Sequence, residues 1–317
     1  MSHRVEEKKR IAVLLEPRPI LAKLRQNIFL LSLGGYIAIL AGWYAYNGVL
    51  FQFSLGLWAL ALLPLTLMLG RSSQFLKELT PFLVLLLSYE ALQGVAGSLA
   101  LTPVIHPTAT SSVIAYDGFY QDVQSSLLSP KLTDVMTFMY GLHFPLIMAA
   151  AVTLWYSNKI LYKGYVYSLI ACSYVSLMLY IIAPSAPPWY NGIVTNLLAN
   201  ASAQTGSPGI VGEMARIGSL IESDKLAAFP SLHAAYVVLF GYFMVKLKKI
   251  FALFSIPIVA GVLFSTIYLG QHYLADLVSG ISIAAVCALG ATRLIRKQRA
   301  SADHGSMVLR SVTTPTL

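Results

Sequence analysis

Two histidines and one aspartate are the residues of this chain best suited to chemistry: His233 in Phe229-Pro230-Ser231-Leu232-His233, and His272 with Asp276 in Tyr268-Leu269-Gly270-Gln271-His272-Tyr273-Leu274-Ala275-Asp276. Each motif stands where a long apolar segment begins. Imidazole changes charge near neutral pH and serves as acid, base or nucleophile. His272 and Asp276 are four residues apart, so on a helix they share a face, where the carboxylate accepts from one ring nitrogen and leaves the other nucleophilic. Pro230 suits the first turn of a helix, and Ser231 sets a hydroxyl beside the free N–H groups there, a combination that attracts phosphate. His233, in the same turn, can pass a proton to the leaving oxygen of a phosphoester. The chemistry these residues suggest is phosphoryl transfer. The competing structural reading makes Asp276 a first-turn acid facing the helix dipole and the histidines hydrogen-bonded boundary residues.

The elements that must position them are membrane helices. Of the 317 residues, 57% are hydrophobic and 11% charged, with a mean hydropathy of +0.69, well outside the range of soluble globular chains. Apolar runs of about 20 residues, enough to cross a hydrocarbon core of about 30 Å, fall at 28–46, 49–69, 81–101, 135–155, 162–183, 230–247, 250–270 and 272–294. They are continuous rather than alternating, so the expected fold is an all-α polytopic bundle of about eight transmembrane helices. The first run follows a polar, basic stretch and is too long for a cleaved signal, so it is expected to remain as an anchor.

The formal charge of +9 does not call for nucleic acid. Nineteen of the 22 Lys and Arg residues fall in the two tails or in alternate connections, around Arg71 and Lys77, Lys159 and Lys163, and Lys246, Lys248 and Lys249. Only Lys131, Arg216 and Lys225 face the other way. By the positive-inside rule both termini are then cytoplasmic and both histidine motifs lie at the outer face. The expected organisation is a basic tail over 1–27, one membrane domain over 28–296 with long outer loops at 102–131 and 185–228, and a second tail over 297–317. Cys172 and Cys287 fall inside spans and read as small apolar residues.

Glu90 and His143 are ionisable residues in mid-span, where charge is expensive; they read either as a pair that fixes helix packing or as head-group ligands. His106 reads as an exposed loop residue. Trp189, Tyr190, Tyr268 and Tyr273 are expected in an interfacial aromatic belt.

Pro230-Ser231-Leu232-His233 and His272-Tyr273-Leu274-Ala275-Asp276 resemble the second and third motifs of the type 2 phosphatidic acid phosphatase superfamily. That resemblance implies that His272 attacks phosphorus to form a phosphohistidine, that Asp276 orients it, and that His233 protonates the departing group, with no metal or other cofactor required. The usual first motif, Lys-x6-Arg-Pro, is absent, and Ser265-Thr266 stands where the third motif begins Ser-Arg. Pro184-Ser185-Ala186-Pro187-Pro188-Trp189-Tyr190, His143-Phe144-Pro145 and Tyr89-Glu90-Ala91-Leu92-Gln93-Gly94 are similar to elements of a branch resembling inositol phosphorylceramide synthases. Gln93 replaces that branch's arginine, which removes a bidentate phosphate clamp. The resemblance covers a six-helix phosphatase-like core, with two spans added in front.

Ser231, Glu90, Gln93 and His143 become the candidate substrate or phosphate contacts, and Arg216 and Lys225 the outer-face cations that could reach a phosphate. The substrate implied is a lipid-linked phosphate, with membrane lipids as the only other partners. Three functions fit: a transferase of a phosphoryl or phospho-head group, a phosphatase of lipid phosphates or isoprenyl (dolichyl or undecaprenyl) pyrophosphates, and a non-catalytic transporter or scaffold. The missing cation motifs favour the transferase, which handles a less charged phosphodiester.

Overall fold

The computed structural model describes residues 117–203 and 227–313, together with Glu78, Leu79, Phe82, Leu85, Tyr89 and Leu92. The expected tail 1–27 and spans 28–46 and 49–69 lie outside the described residues, as do His106, Glu90, Gln93, Arg216 and Lys225. The chain divides into two compact units, Met1–Phe51 and Gln52–Leu317, and every described residue belongs to the second.

The described residues form α-helices and one short 3-10 turn: α1 (Asp117–Leu127), α2 (Pro130–Ser157), α3 (Lys159–Ile182), α4 (Leu197–Ala203), α5 (Leu232–Leu247), the 3-10 turn Lys249–Phe251, α6 (Ala252–Tyr268) and α7 (Leu274–Thr313). Their pairing beyond helices is a single parallel β-bridge between Ser185 and Ala227. Among the described residues three helical segments are long and apolar enough to cross a membrane: Lys159–Ile182, Lys249–Tyr268 and Leu274–Lys297. Pro130–His143 with Pro145–Ser157 makes a fourth if the bent pair is one span. α5 is apolar but only 16 residues long.

Local chemistry sets these boundaries. Ser129 caps α2 by accepting from Leu132 N–H, with Pro130 in the first turn. Pro145 inside α2 removes a backbone donor and crowds the preceding turn, and the helix bends there by 44°. Asn158 ends α2 and begins α3, its Oδ1 accepting from Ile160 and Leu161 N–H. Beside that turn the Lys159 ammonium lies 2.7 Å from Glu78 and over the Trp155 ring, whose Nε1–H also donates to Glu78.

The stretch expected as the loop 102–131 carries α1 and the start of α2, because Pro130 and the Ser129 cap begin the helix before its apolar part. The loop 185–228 carries α4, and the expected tail 297–317 continues α7 as far as Thr313. α5 is the central helix, packed against α2, α3, α6 and α7. Tyr165, Leu169, Tyr236, Leu239, Phe243, Val262 and Ala284 are buried around it. Large apolar side chains such as Leu253, Phe254, Ile256 and Val286 are more than 60% exposed, the orientation expected of surfaces that meet lipid rather than water.

Candidate active site

The site forms where the N-terminus of α5 meets the turn between α6 and α7. α6 ends at Tyr268, and Gly270 takes φ +80°, a conformation that side chains other than glycine's resist. A Cβ there would also fall 2.8 Å from Val194 Cγ2 and 3.2 Å from the Thr195 carbonyl oxygen. The turn is held from inside by Gln271 and His272 N–H on the Thr266 carbonyl, and from outside by Trp189, whose N–H donates to Gly270 O and whose Nε1–H donates to Gln271 Oε1. His272 therefore precedes α7 rather than sharing a helix face with Asp276.

Asp276 lies in the first turn of α7, and its Oδ2 accepts from Tyr273 N–H at 2.8 Å. An acid at that position reaching back to the backbone at the helix start is the returning half of a capping box. The Asp276 carbonyl accepts from Ser231 N–H at 3.0 Å, which fastens the start of α7 to the start of α5. Ser231 is fully buried and caps α5, its Oγ accepting from Ala234 N–H. Pro230 thus sits before the cap and not in the first turn, because the Ser231 side chain takes the capping role; the Pro230 carbonyl accepts from Tyr180 Oη at 2.8 Å.

These fastenings bring the two histidines together. His272 Nδ1 contacts the Ala228 carbonyl at 3.0 Å, and His272 Nε2 lies 3.2 Å from His233 Nδ1. A carbonyl oxygen can only accept, so Nδ1 carries the hydrogen; in the neutral ring the Nε2 lone pair then faces His233. The Asp276 carboxylate stands 3.6 Å from His272 Nδ1. That is too long for a hydrogen bond. The direct Asp276–His272 hydrogen bond expected from the spacing is replaced by the backbone carbonyl, since the carboxylate is engaged by Tyr273 N–H.

His143 joins the same cluster. It is buried, its Nδ1–H donates to the Tyr140 carbonyl at 2.7 Å, and its ring centroid lies 4.0 Å from that of His233. Tyr140 stacks on His233 with centroids 4.4 Å apart. His233 is half-buried and His272 only 5% exposed. Tyr268 and Tyr273, expected in an interfacial belt, are fully buried; Tyr268 Oη pairs with Thr133 Oγ1 and Tyr273 Oη accepts from Asn191. Among the described residues no group of three His, Cys, Asp or Glu side chains is arranged to hold a metal ion.

Residues 117–290 match the family described as the PAP2 superfamily. The chain belongs to the PAP2 superfamily. Within that superfamily it resembles inositol phosphorylceramide synthases. It is 27% identical over 180 residues to the inositol phosphorylceramide synthase of Candida albicans, covering 52% of this chain and 38% of that protein. It is 32% identical over 119 residues to the inositol phosphorylceramide synthase catalytic subunit of Schizosaccharomyces pombe, covering 35% and 28%. With the phosphoinositol dihydroceramide synthase of Bacteroides thetaiotaomicron it is 33% identical over 119 residues, covering 33% and 37%. The match thus spans less than two fifths of each relative. No solved structure matches the chain.

Sequence reasoning missed the Ala228 carbonyl, Tyr140 and Tyr180. Tyr140 had a signal, since it precedes His143 by three residues on one helix and so shares its face. The Ala228 carbonyl had none, because every residue carries the same backbone acceptor.

Proposed function

We propose that this PAP2-superfamily protein is an integral membrane phosphotransferase that moves a phospho-head group from one lipid to a hydroxyl of another through a phosphohistidine on His272. The observation that carries the reading is the fixed orientation of one imidazole toward another: Nδ1–H on the Ala228 carbonyl, Nε2 facing His233. In the first step Nε2 attacks phosphorus, the bond from phosphorus to the donor alcohol breaks, and His233 as the imidazolium gives its proton to the departing oxygen. In the second step neutral His233 takes the proton of the acceptor hydroxyl, whose oxygen attacks phosphorus and releases His272. While phosphorylated on Nε2 and protonated on Nδ1 the His272 ring is cationic, and the Asp276 carboxylate at 3.6 Å stabilises it.

Attack and proton donation each need about 3 Å, so phosphorus can lie between the histidines only when their nitrogens are roughly 6 Å apart. At 3.2 Å they exclude it, and substrate entry parts them. In this reading Arg216 and Lys225 supply the cation to the phosphate, and Glu90 and Gln93 contact the head group; Arg216→Ala and Lys225→Ala that both leave substrate affinity unchanged would remove those two from the site.

Both termini are cytoplasmic and the histidines face the opposite side, a reading supported by Lys159, Lys163, Lys246, Lys248 and Lys249 at the helix ends distant from His233. The relatives' names make a phosphoinositol head group and a ceramide acceptor the first pair to try. Product mass spectrometry after incubation of the wild type and His272→Ala with labelled phospholipid, isoprenyl pyrophosphate and ceramide tests the proposal. A labelled head group on a new lipid, formed by the wild type alone, supports it. Release of the labelled group to water makes the protein a hydrolase, and equal products from both proteins end the account.

A further inference from the structure

At the end of α5 away from the histidines, α5 and α6 enclose a groove of about 900 Å³. Val238, Gly241, Val259 and Leu263 form its wall, and Lys246, Lys248 and Lys249 stand at its mouth. Along α5, Lys246 is 13 residues from His233, about 20 Å at the helical rise, so the groove is separate from the candidate active site.

Three features select an occupant. The wall is apolar and opens beside Ile256, which is 62% exposed; in a membrane protein such a surface meets acyl chains. Among the described residues no acidic one lines the groove, and none occurs anywhere in 232–268. The Lys246 ammonium is steadied by the Tyr242 hydroxyl at 2.8 Å, and Tyr242 also lines the groove.

The length of α5 adds to this. Sixteen residues span about 24 Å, less than a hydrocarbon core of about 30 Å, so the lysines are drawn down to the level of lipid phosphates. Lysines at this end of a span also serve the positive-inside rule. That role asks only for charge, not for an apolar groove ending at three cations with no acid among them.

We propose that this groove binds one anionic phospholipid of the adjoining leaflet, an acyl chain lying between Val238 and Leu263 and the phosphate against Lys246, Lys248 and Lys249. Basic pockets between membrane helices hold anionic head groups by this chemistry. The proposal does not depend on the reaction at His272.

The test is native mass spectrometry of the full chain released from nanodiscs of phosphatidylcholine with and without phosphatidylglycerol. The wild type is expected to retain phosphatidylglycerol over phosphatidylcholine by at least about tenfold. The Lys246→Gln/Lys248→Gln/Lys249→Gln variant is expected to lose that preference. Ala260→Trp, which fills the groove from an exposed position and keeps every lysine, is expected to lose the bound lipid even if the triple variant fails to insert. Equal retention of the two lipids by the wild type, or an undiminished preference in Ala260→Trp, would overturn the proposal.

Discussion

Gly280 lies directly against the backbone of Ser231: a Cβ on Gly280 would fall 2.1 Å from the Ser231 carbonyl oxygen. This contact, one turn beyond Asp276, lets α7 approach the cap of α5 closely enough for Ser231 N–H to reach the Asp276 carbonyl. The spacing of the two histidines depends on it. A methyl group there must push the helices apart, so Gly280→Ala is expected to lower stability by about 1–3 kcal/mol and to reduce turnover. Gly290→Ala, on the same helix with open space around it, is expected to be neutral or stabilising. Thermal unfolding in detergent and turnover of both variants check the contrast.

Asp276→Asn keeps an oxygen for Tyr273 N–H while removing the charge beside His272. Loss of the orienting aspartate of a catalytic triad, where the histidine tautomer is lost with it, costs about 10⁴-fold. Here the Ala228 carbonyl holds the tautomer independently, so the variant is expected to fold and to lose clearly less activity than that. A full 10⁴-fold loss in kcat would show that Asp276, and not Ala228, sets the ring.

His233→Ala removes the proposed acid and base while leaving His272 Nδ1 on Ala228. A loss of about 10²–10⁴-fold in kcat is expected, smaller for donors whose leaving alcohol is more acidic. An equal loss for every leaving group would argue that His233 holds structure instead of moving a proton.

Tyr140 stacks on His233 and limits where that ring can move. Tyr140→Phe retains the ring, and Tyr140→Ala removes a contact worth about 0.5–1.5 kcal/mol. The alanine variant is expected to lower kcat by about 2- to 10-fold and the phenylalanine variant by less, as steady-state rates would reveal.

What the sequence made legible was whatever depends on side-chain type and spacing. The α3, α6 and α7 spans at 159–182, 249–268 and 274–297 lie within a few residues of the apolar runs at 162–183, 250–270 and 272–294, because a bilayer demands a continuous apolar stretch. His233, His272 and Asp276, which the two motifs single out by residue type alone, lie in turn within hydrogen-bond or ion-pair distance of one another, His233–His272 at 3.2 Å and His272–Asp276 at 3.6 Å. Backbone geometry, which residue type and spacing do not encode, decided the rest. Gly270 at positive φ stops α6 and leaves His272 outside α7, so helical spacing did not apply between His272 and Asp276. Ser231 took the cap and displaced Pro230 from the first turn. Tyr268 and Tyr273, amphipathic rings at a helix end, read as an interfacial belt, and only tertiary partners such as Thr133 and Asn191 draw them inside.

Rapid acid-free quenching of the purified protein with a head-group-labelled donor lipid, followed by peptide mass spectrometry, detects the proposed covalent intermediate on His272 itself. One phospho-head-group adduct is expected on the peptide carrying His272, absent from His272→Ala and released when acceptor lipid is added. Product formation at the wild-type rate with no adduct on His272, or an adduct on another residue that persists in His272→Ala, would contradict it.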